Sequence, residues 1–135
     1  MGDFRYPGEG WGLTWDGKHF ILSDGTVYLK FFEPESFKLV HSVRVHNRNG
    51  AVDLLNELEF IDGKVYANRW HRDEIVVIDP TTGFVEATLN LTALGRPRPL
   101  DRESVLNGIA YDPKTKLLHV TGKRWPKIYA LRVKE

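Results

Sequence analysis

The sequence predicts an all-β chain made of propeller blades, and three observations support this. β-Branched and aromatic residues fall in short runs cut by 12 glycines and 7 prolines, the composition of pleated, half-buried strands separated by tight turns. Turn signals repeat: Asp16-Gly17 returns as Asp62-Gly63 and again as Asp112-Pro113, Pro34 returns as Pro80, and Trp11-Gly12-Leu13 is echoed by Asn107-Gly108-Ile109. The repeat is about 45 to 50 residues with four short strands in each unit, which is the spacing of propeller blades.

The elements follow in order. A first blade, residues 8–46, holds strands near 11–15, 19–23, 27–32 and 38–45, divided by Asp16-Gly17, Asp24-Gly25 and Glu33-Pro34-Glu35-Ser36. A second, residues 54–90, holds strands near 55–61, 65–70, 74–79 and 84–89. Asp62-Gly63 is a two-residue hairpin signal, since such a turn needs positive φ and glycine supplies it without a clash. Asp79-Pro80-Thr81-Thr82-Gly83 puts proline where its fixed φ fits and glycine at the close. A third blade, residues 105–135, holds strands near 106–111, 117–121 and 127–133, with the fourth missing. The stretch from Leu91 to Ser104, with Pro97 and Pro99, reads as a surface loop, and no helix of any length is demanded.

Three blades do not close a ring of the usual four to eight, and the strand near 127–133 keeps an open edge. The expectation is that Asp3-Phe4-Arg5-Tyr6 supplies the missing strand to the third blade of another copy, so that a homodimer by strand exchange closes the ring. Truncation of a larger protein is the competing expectation.

Composition narrows the function classes. A net charge of +1 gives no global reason to expect nucleic acid or an acidic membrane surface. No apolar run is long enough for a spanning helix, and the N-terminus lacks the charged-then-apolar pattern of a secretory leader. The compartment stays open, because without cysteine there is no disulfide framework and no thiol chemistry. No metal or other cofactor is expected. His41 and His46 fall on opposite faces of a regular strand, and Gly8-Glu9-Gly10-Trp11-Gly12 is no dinucleotide fingerprint.

The chemistry concentrates in 56–70, a strand–turn–strand unit. Period 2 puts Glu57 and Glu59 on one face, and Asn68 and Trp70 on one face of the return strand. Candidate catalytic groups are Glu57 and Lys123. Candidate substrate-binding residues are Trp11, Asn56, Trp70, Asn107 and Trp125. Each has a plain structural alternative. The tryptophans, Trp15 included, suit packing between blades. Asn56 and Asn107 suit hydrogen bonds to loop backbone, and the two glutamates suit solvent or pairing with Arg69 or Lys64. Lys123 beside Arg124 suits ordinary turn charge.

Six motifs resemble one known family: Gly8-Glu9-Gly10-Trp11-Gly12-Leu13-Thr14 with Ser23-Asp24-Gly25; Leu55-Asn56-Glu57-Leu58-Glu59; Tyr66-Ala67-Asn68-Arg69-Trp70; Leu106-Asn107-Gly108-Ile109-Ala110-Tyr111-Asp112; and Thr121-Gly122-Lys123-Arg124-Trp125-Pro126. Together they are similar to the plant and bacterial type of glutaminyl-peptide cyclotransferase, over the later half or so of the family's length. The resemblance implies a five-bladed propeller with its site at one mouth of the channel. It implies conversion of an N-terminal glutaminyl residue of a peptide to pyroglutamate with release of ammonia, without the zinc of the animal type. It also implies proteins that are often secreted or periplasmic. By motif, Trp11, Asn56, Trp70 and Lys123 match family pocket positions, and Asn107 is similarly placed. The family's earlier blades carry Thr-Gln-Gly-Leu and Thr-Glu-Gly-Leu motifs, the glutamate being the expected acid–base group. This sequence has neither, and the resembling slot of its first unit holds Trp11. A non-catalytic self-assembling module, trimmed or engineered, and a peptide-binding propeller are the alternative functions.

Overall fold

The computed structural model describes residues 2–94 and 102–134. Among the described residues thirteen strands form in order: β1 (Gly12–Trp15), β2 (Phe20–Ser23), β3 (Tyr28–Phe32), β4 (Leu39–Arg44), β5 (His46–Asn47), β6 (Gly50–Ala51), β7 (Leu55–Ile61), β8 (Lys64–Arg69), β9 (Glu74–Ile78), β10 (Val85–Asn90), β11 (Leu106–Asp112), β12 (Leu117–Gly122) and β13 (Tyr129–Leu131). They make the three expected sheets: β1-β2-β3-β4, β7-β8-β9-β10 and β11-β12-β13. All three are antiparallel meanders of propeller-like form, each with its first strand at one edge, and the first strand of the middle sheet packs on the first strands of the other two. The small β5–β6 hairpin is an addition the sequence reading did not anticipate.

The turns form where side chains can replace the ladder. Asp62 and Gly63 both have positive φ, 48° and 80°, so Ile61 pairs directly with Lys64. Asp16 accepts from the amides of Lys18 and His19 at 2.8 and 2.6 Å. Asp79 and Asp112 do the same for Thr81 and Lys114. A carboxylate two residues ahead of an amide is a local substitute for a backbone partner.

Alternation along the middle blade divides its side chains between two cores. Val65, Ala67, Val76 and Ile78 join Ile21, Leu29, Phe31, Leu55 and Leu58 between blades one and two. Ile61 and Ile75 join Leu106, Ile109, Leu118 and Val120 between blades two and three. This explains the unbroken run Ile75-Val76-Val77-Ile78, all buried, since a strand covered on both faces needs no polar residue. Each fully buried leucine or isoleucine stabilises the fold by roughly 1.5–3 kcal/mol, against about 1 kcal/mol for a typical hydrogen bond. Apolar burial therefore holds the blades together, and the polar links between them set their register.

Residues 2–11 contain no strand. Phe4 stacks on Phe37 with centroids 5.6 Å apart, and Tyr6 leans on Phe32 and Phe37 of the same chain. Of the loop expected from Leu91 to Ser104, Thr92–Leu94 is a single 3-10 turn, and Tyr129 donates its hydroxyl to the Leu94 carbonyl at 3.0 Å. Pro97 and Pro99 lie outside the described residues.

Candidate functional site

The site is built from two positions that recur in successive blades. The first lies at the start of the inner strand. In β7, Leu55 pairs with Arg69 and Leu58 with Ala67, which leaves Asn56 and Glu57 in a bulge. In β11, Leu106 pairs with Gly122 and Ile109 with Val120, which leaves Asn107 and Gly108 in the same place. A bulge bends its strand and re-aims a side chain, here an asparagine each time. The second position follows the second strand. The Trp70 amide bonds the Leu54 carbonyl at 2.8 Å, and the Lys123 amide bonds the Val105 carbonyl at 2.9 Å. Trp70 and Lys123 are therefore equivalents.

These residues meet at a cavity of about 370 Å³ lined by Gly10, Trp11, Asn56, Trp70, Asn107 and Lys123. Among the described residues there are other hollows. One of about 360 Å³ runs along Asn47–Asn49 and Phe84–Thr88, and a smaller one of about 210 Å³ lies between Asp62 and Lys116. Trp11 forms one wall of the cavity. Its indole N–H donates to Glu9 Oε2 at 3.1 Å, and its ring meets Trp70 edge-on. Gly25 makes room for it, since a Cβ there would fall 2.6 Å from the ring. Asn56 is held from the preceding blade, because Ser23 Oγ donates to its backbone carbonyl. Its side-chain amide makes no hydrogen bond among the described residues, and Lys123 makes no ion pair among them. Both groups face the cavity free of protein partners. Asn107 Oδ1 is likewise buried without a partner.

Five of the seven residues singled out in the sequence thus come together. Two do not line the cavity. Glu57 turns into the junction between β7 and β11, where its Oε2 accepts from the Ile109 amide at 2.7 Å. Burial raises its carboxyl from 4.5 to about 7; the Ile109 N–H opposes this and the neighbouring Glu59 charge adds to it. Burial also raises Glu59. Neither glutamate pairs with Arg69 or Lys64, which correct that alternative by bonding Asp53 and Glu74 in the first case and Glu86 and Asp79 in the second. Trp125 packs back on Gly122 and Tyr129, and its indole N–H donates to the Ser104 carbonyl at 3.1 Å. That is the packing role its alternative described.

Three more residues, Gly10, Ser23 and Asn68, shape the site. Gly10 belongs to the lining. Ser23 and Asn68 are fully buried polar side chains spent on the next blade's backbone. Alternation groups Asn68 with Trp70, but nothing in the sequence ties it to Gly108, 40 residues away.

Comparison with known proteins follows the same line. A family model described as glutamine cyclotransferase matches residues 1–133. The glutaminyl-peptide cyclotransferase of Arabidopsis thaliana is 42% identical, covering 94% of this chain and 41% of that protein. The crystal structure of Myxococcus xanthus glutaminyl cyclase superposes with a TM-score of 0.91 at 42% identity, over 96% of this chain and 57% of that one. The chain thus spans about half the length of these relatives. The computationally designed Ika8 protein shares only a likeness of fold, with a TM-score of 0.51 at 12% identity, over 89% of this chain and 36% of that one.

Proposed function

Because the chain belongs to the glutamine cyclotransferase family, we propose that its cavity grips the N-terminal glutaminyl residue of a peptide for cyclisation to pyroglutamate. In that reaction the neutral α-amine attacks the side-chain amide carbon. A C–N bond forms, the old C–N bond breaks, and the amine's proton ends on the departing ammonia. The protein must hold amine and carbonyl at attack distance, stabilise the developing oxyanion and move that proton. Trp11 and Trp70 grip the alkyl stem and exclude water, and a cavity of about 370 Å³ suits a ligand of residue size. Lys123 and Asn56 donate to the oxygen as charge develops, and Asn107 holds the amide. No carboxylate is among the lining residues, so the proton shuttle is assigned to a group beyond this set. Glu57, turned away, takes a supporting place.

The observation that carries the reading is convergence. Five side chains from three blades meet on one cavity in a chain 42% identical to a glutaminyl-peptide cyclotransferase. The test is ammonia release from a Gln-initiated tripeptide, with tryptophan fluorescence reporting binding. Saturable quenching is expected, with turnover if the proton can be moved. No quenching at millimolar peptide would end the reading. Quenching without ammonia would leave a peptide-binding propeller.

A second reading, association of copies into a closed ring, is favoured by large apolar side chains on both outer flanks. Leu13 and Trp15 on blade one are 51% and 43% exposed, and Ile128 on blade three is 72% exposed. Mass in solution, with and without residues 1–7, tests it. A strict monomer in both would rule it out.

A further inference from the structure

We infer that Asn68 and Glu57 are positioning residues for Asn107: from blade two, they clamp two consecutive amides of the β11 bulge and so set the asparagine that this bulge presents to the cavity. The inference rests, for its consequence in binding, on the function proposed above.

The geometry is specific. Asn68 Oδ1 accepts from the Gly108 amide at 3.0 Å, and Glu57 Oε2 accepts from the Ile109 amide at 2.7 Å. Both bonds cross from one blade to the next, over 40 and 52 residues of chain. They reach the place where β11 loses its regular pairing with β12, between Leu106 and Ile109. Gly108 has φ of +137°, a conformation open to glycine and costly for other residues, so the bulge has a backbone that needs outside support. Amides left bare at a buried bulge are unfavourable, and the two side chains supply the missing acceptors.

The link to the cavity lies one residue back. Asn107 lines the cavity, and its own side chain makes no hydrogen bond among the described residues. Nothing tethers that amide directly, so its direction follows from the backbone of Asn107–Ile109, and that backbone is what Asn68 and Glu57 hold. Asn68 is fully buried, with Oδ1 spent on Gly108 and Nδ2 unpartnered. A buried amide that leaves both N–H donors of its nitrogen empty is a poor choice for packing alone. It is the right choice if the Gly108 bond is what matters. The first junction uses the same plan with different chemistry: there Ser23 holds the Asn56 carbonyl. In both cases a polar side chain of the preceding blade holds the bulge that carries a cavity asparagine.

The test uses the full chain, ¹⁵N-labelled, with no ligand needed for its first part. The Gly108 and Ile109 amides are expected to exchange with solvent at least tenfold more slowly than unbonded amides. Free exchange in the wild type would overturn the proposal without any variant. Glu57→Ala and Asn68→Ala are expected to shift the Asn107 side-chain amide resonances, identified by their loss in Asn107→Asp. Glu57→Gln keeps an acceptor for Ile109 and is expected to restore them. Unmoved Asn107 resonances in both alanine variants would overturn the proposal, whatever a peptide does. The second part titrates a Gln-initiated tripeptide against tryptophan fluorescence. About tenfold weaker binding is expected in the alanine variants and near-normal binding in Glu57→Gln. If Glu57→Gln weakens binding as much as Glu57→Ala, positioning through Ile109 is wrong. If the wild type shows the resonance changes on mutation but no peptide binding, the proposed function fails and the clamp stands.

Discussion

The indoles of Trp11 and Trp70 meet edge to face, with ring centroids 5.3 Å apart and planes at 76°. One precedes the inner strand of blade one and the other follows the second strand of blade two, so the pair spans a blade junction at the cavity wall. Such pairs contribute about 0.5–1.5 kcal/mol beyond their buried area. Trp70→Ala is therefore expected to weaken Gln-peptide binding by about tenfold and to shift the emission of the three remaining tryptophans to the red through Trp11. Fluorescence titration checks both. Unchanged affinity would remove Trp70 from the binding surface.

Gly25 is the seat of Trp11. A Cβ there would sit 2.6 Å from the ring, and φ is +82°, where a side chain is itself strained. Gly25→Ala is expected to cost about 1–2 kcal/mol in stability and to displace the indole, weakening peptide binding more than the fall in melting temperature accounts for. Equal affinity at a lowered melting temperature would show that the ring finds another place.

Lys123 is exposed and makes no ion pair among the described residues. Lys123→Ala should leave stability within about 0.5 kcal/mol of wild type, while binding of the peptide, and any ammonia release, falls roughly tenfold or more. A loss of stability with unchanged binding would reverse the assignment.

Glu57 links pH to stability. Its carboxyl is raised from 4.5 to about 7 in the fold, by burial first and by the like charge of Glu59 beside it. Between those values the folded chain holds a proton that the unfolded chain has released. The contribution of this carboxyl to stability is therefore greatest below about 4.5 and falls as pH rises to about 7, then levels off. The group is only half-buried, and solvent screening holds the effect to about 1–2 kcal/mol. Glu57→Gln is neutral throughout. Its melting temperature is expected to gain on the wild type across this window, as thermal melts from pH 4 to 8 would show. Parallel curves would mean the carboxyl titrates normally.

Much of this fold is written in local signals. Asp-Gly and Asp-Pro turns and alternating apolar residues place eleven strands to within a residue or two of their observed limits. The β5–β6 hairpin escaped because its arms are two residues each, too short for any period to show. The site was legible where side chains face the cavity from strand ends. It was not legible where a backbone irregularity decides direction. A bulge between Leu55 and Leu58 interrupts the pairing at Glu57, whose side chain bonds the Ile109 amide instead of lining the cavity. Arg124, at φ +60°, reverses the chain, so Trp125 falls back on Gly122 and leaves Lys123 alone at the cavity. The partners of Ser23 and Asn68 depend on how one blade is laid against the next, information that no single strand carries.

The bulges separate two kinds of information along the same strand. Leu55, Leu58, Leu106 and Ile109 weld neighbouring sheets, while the residues wedged between them, Asn56 with Glu57 and Asn107 with Gly108, are excused from pairing. Of these, Asn56 and Asn107 face the cavity and can be rewritten without touching the letters that keep the walls upright, whereas Glu57 and Gly108 belong to the walls. A protein so arranged can acquire a new ligand preference one blade at a time, each change confined to a slot the scaffold has already set aside for it.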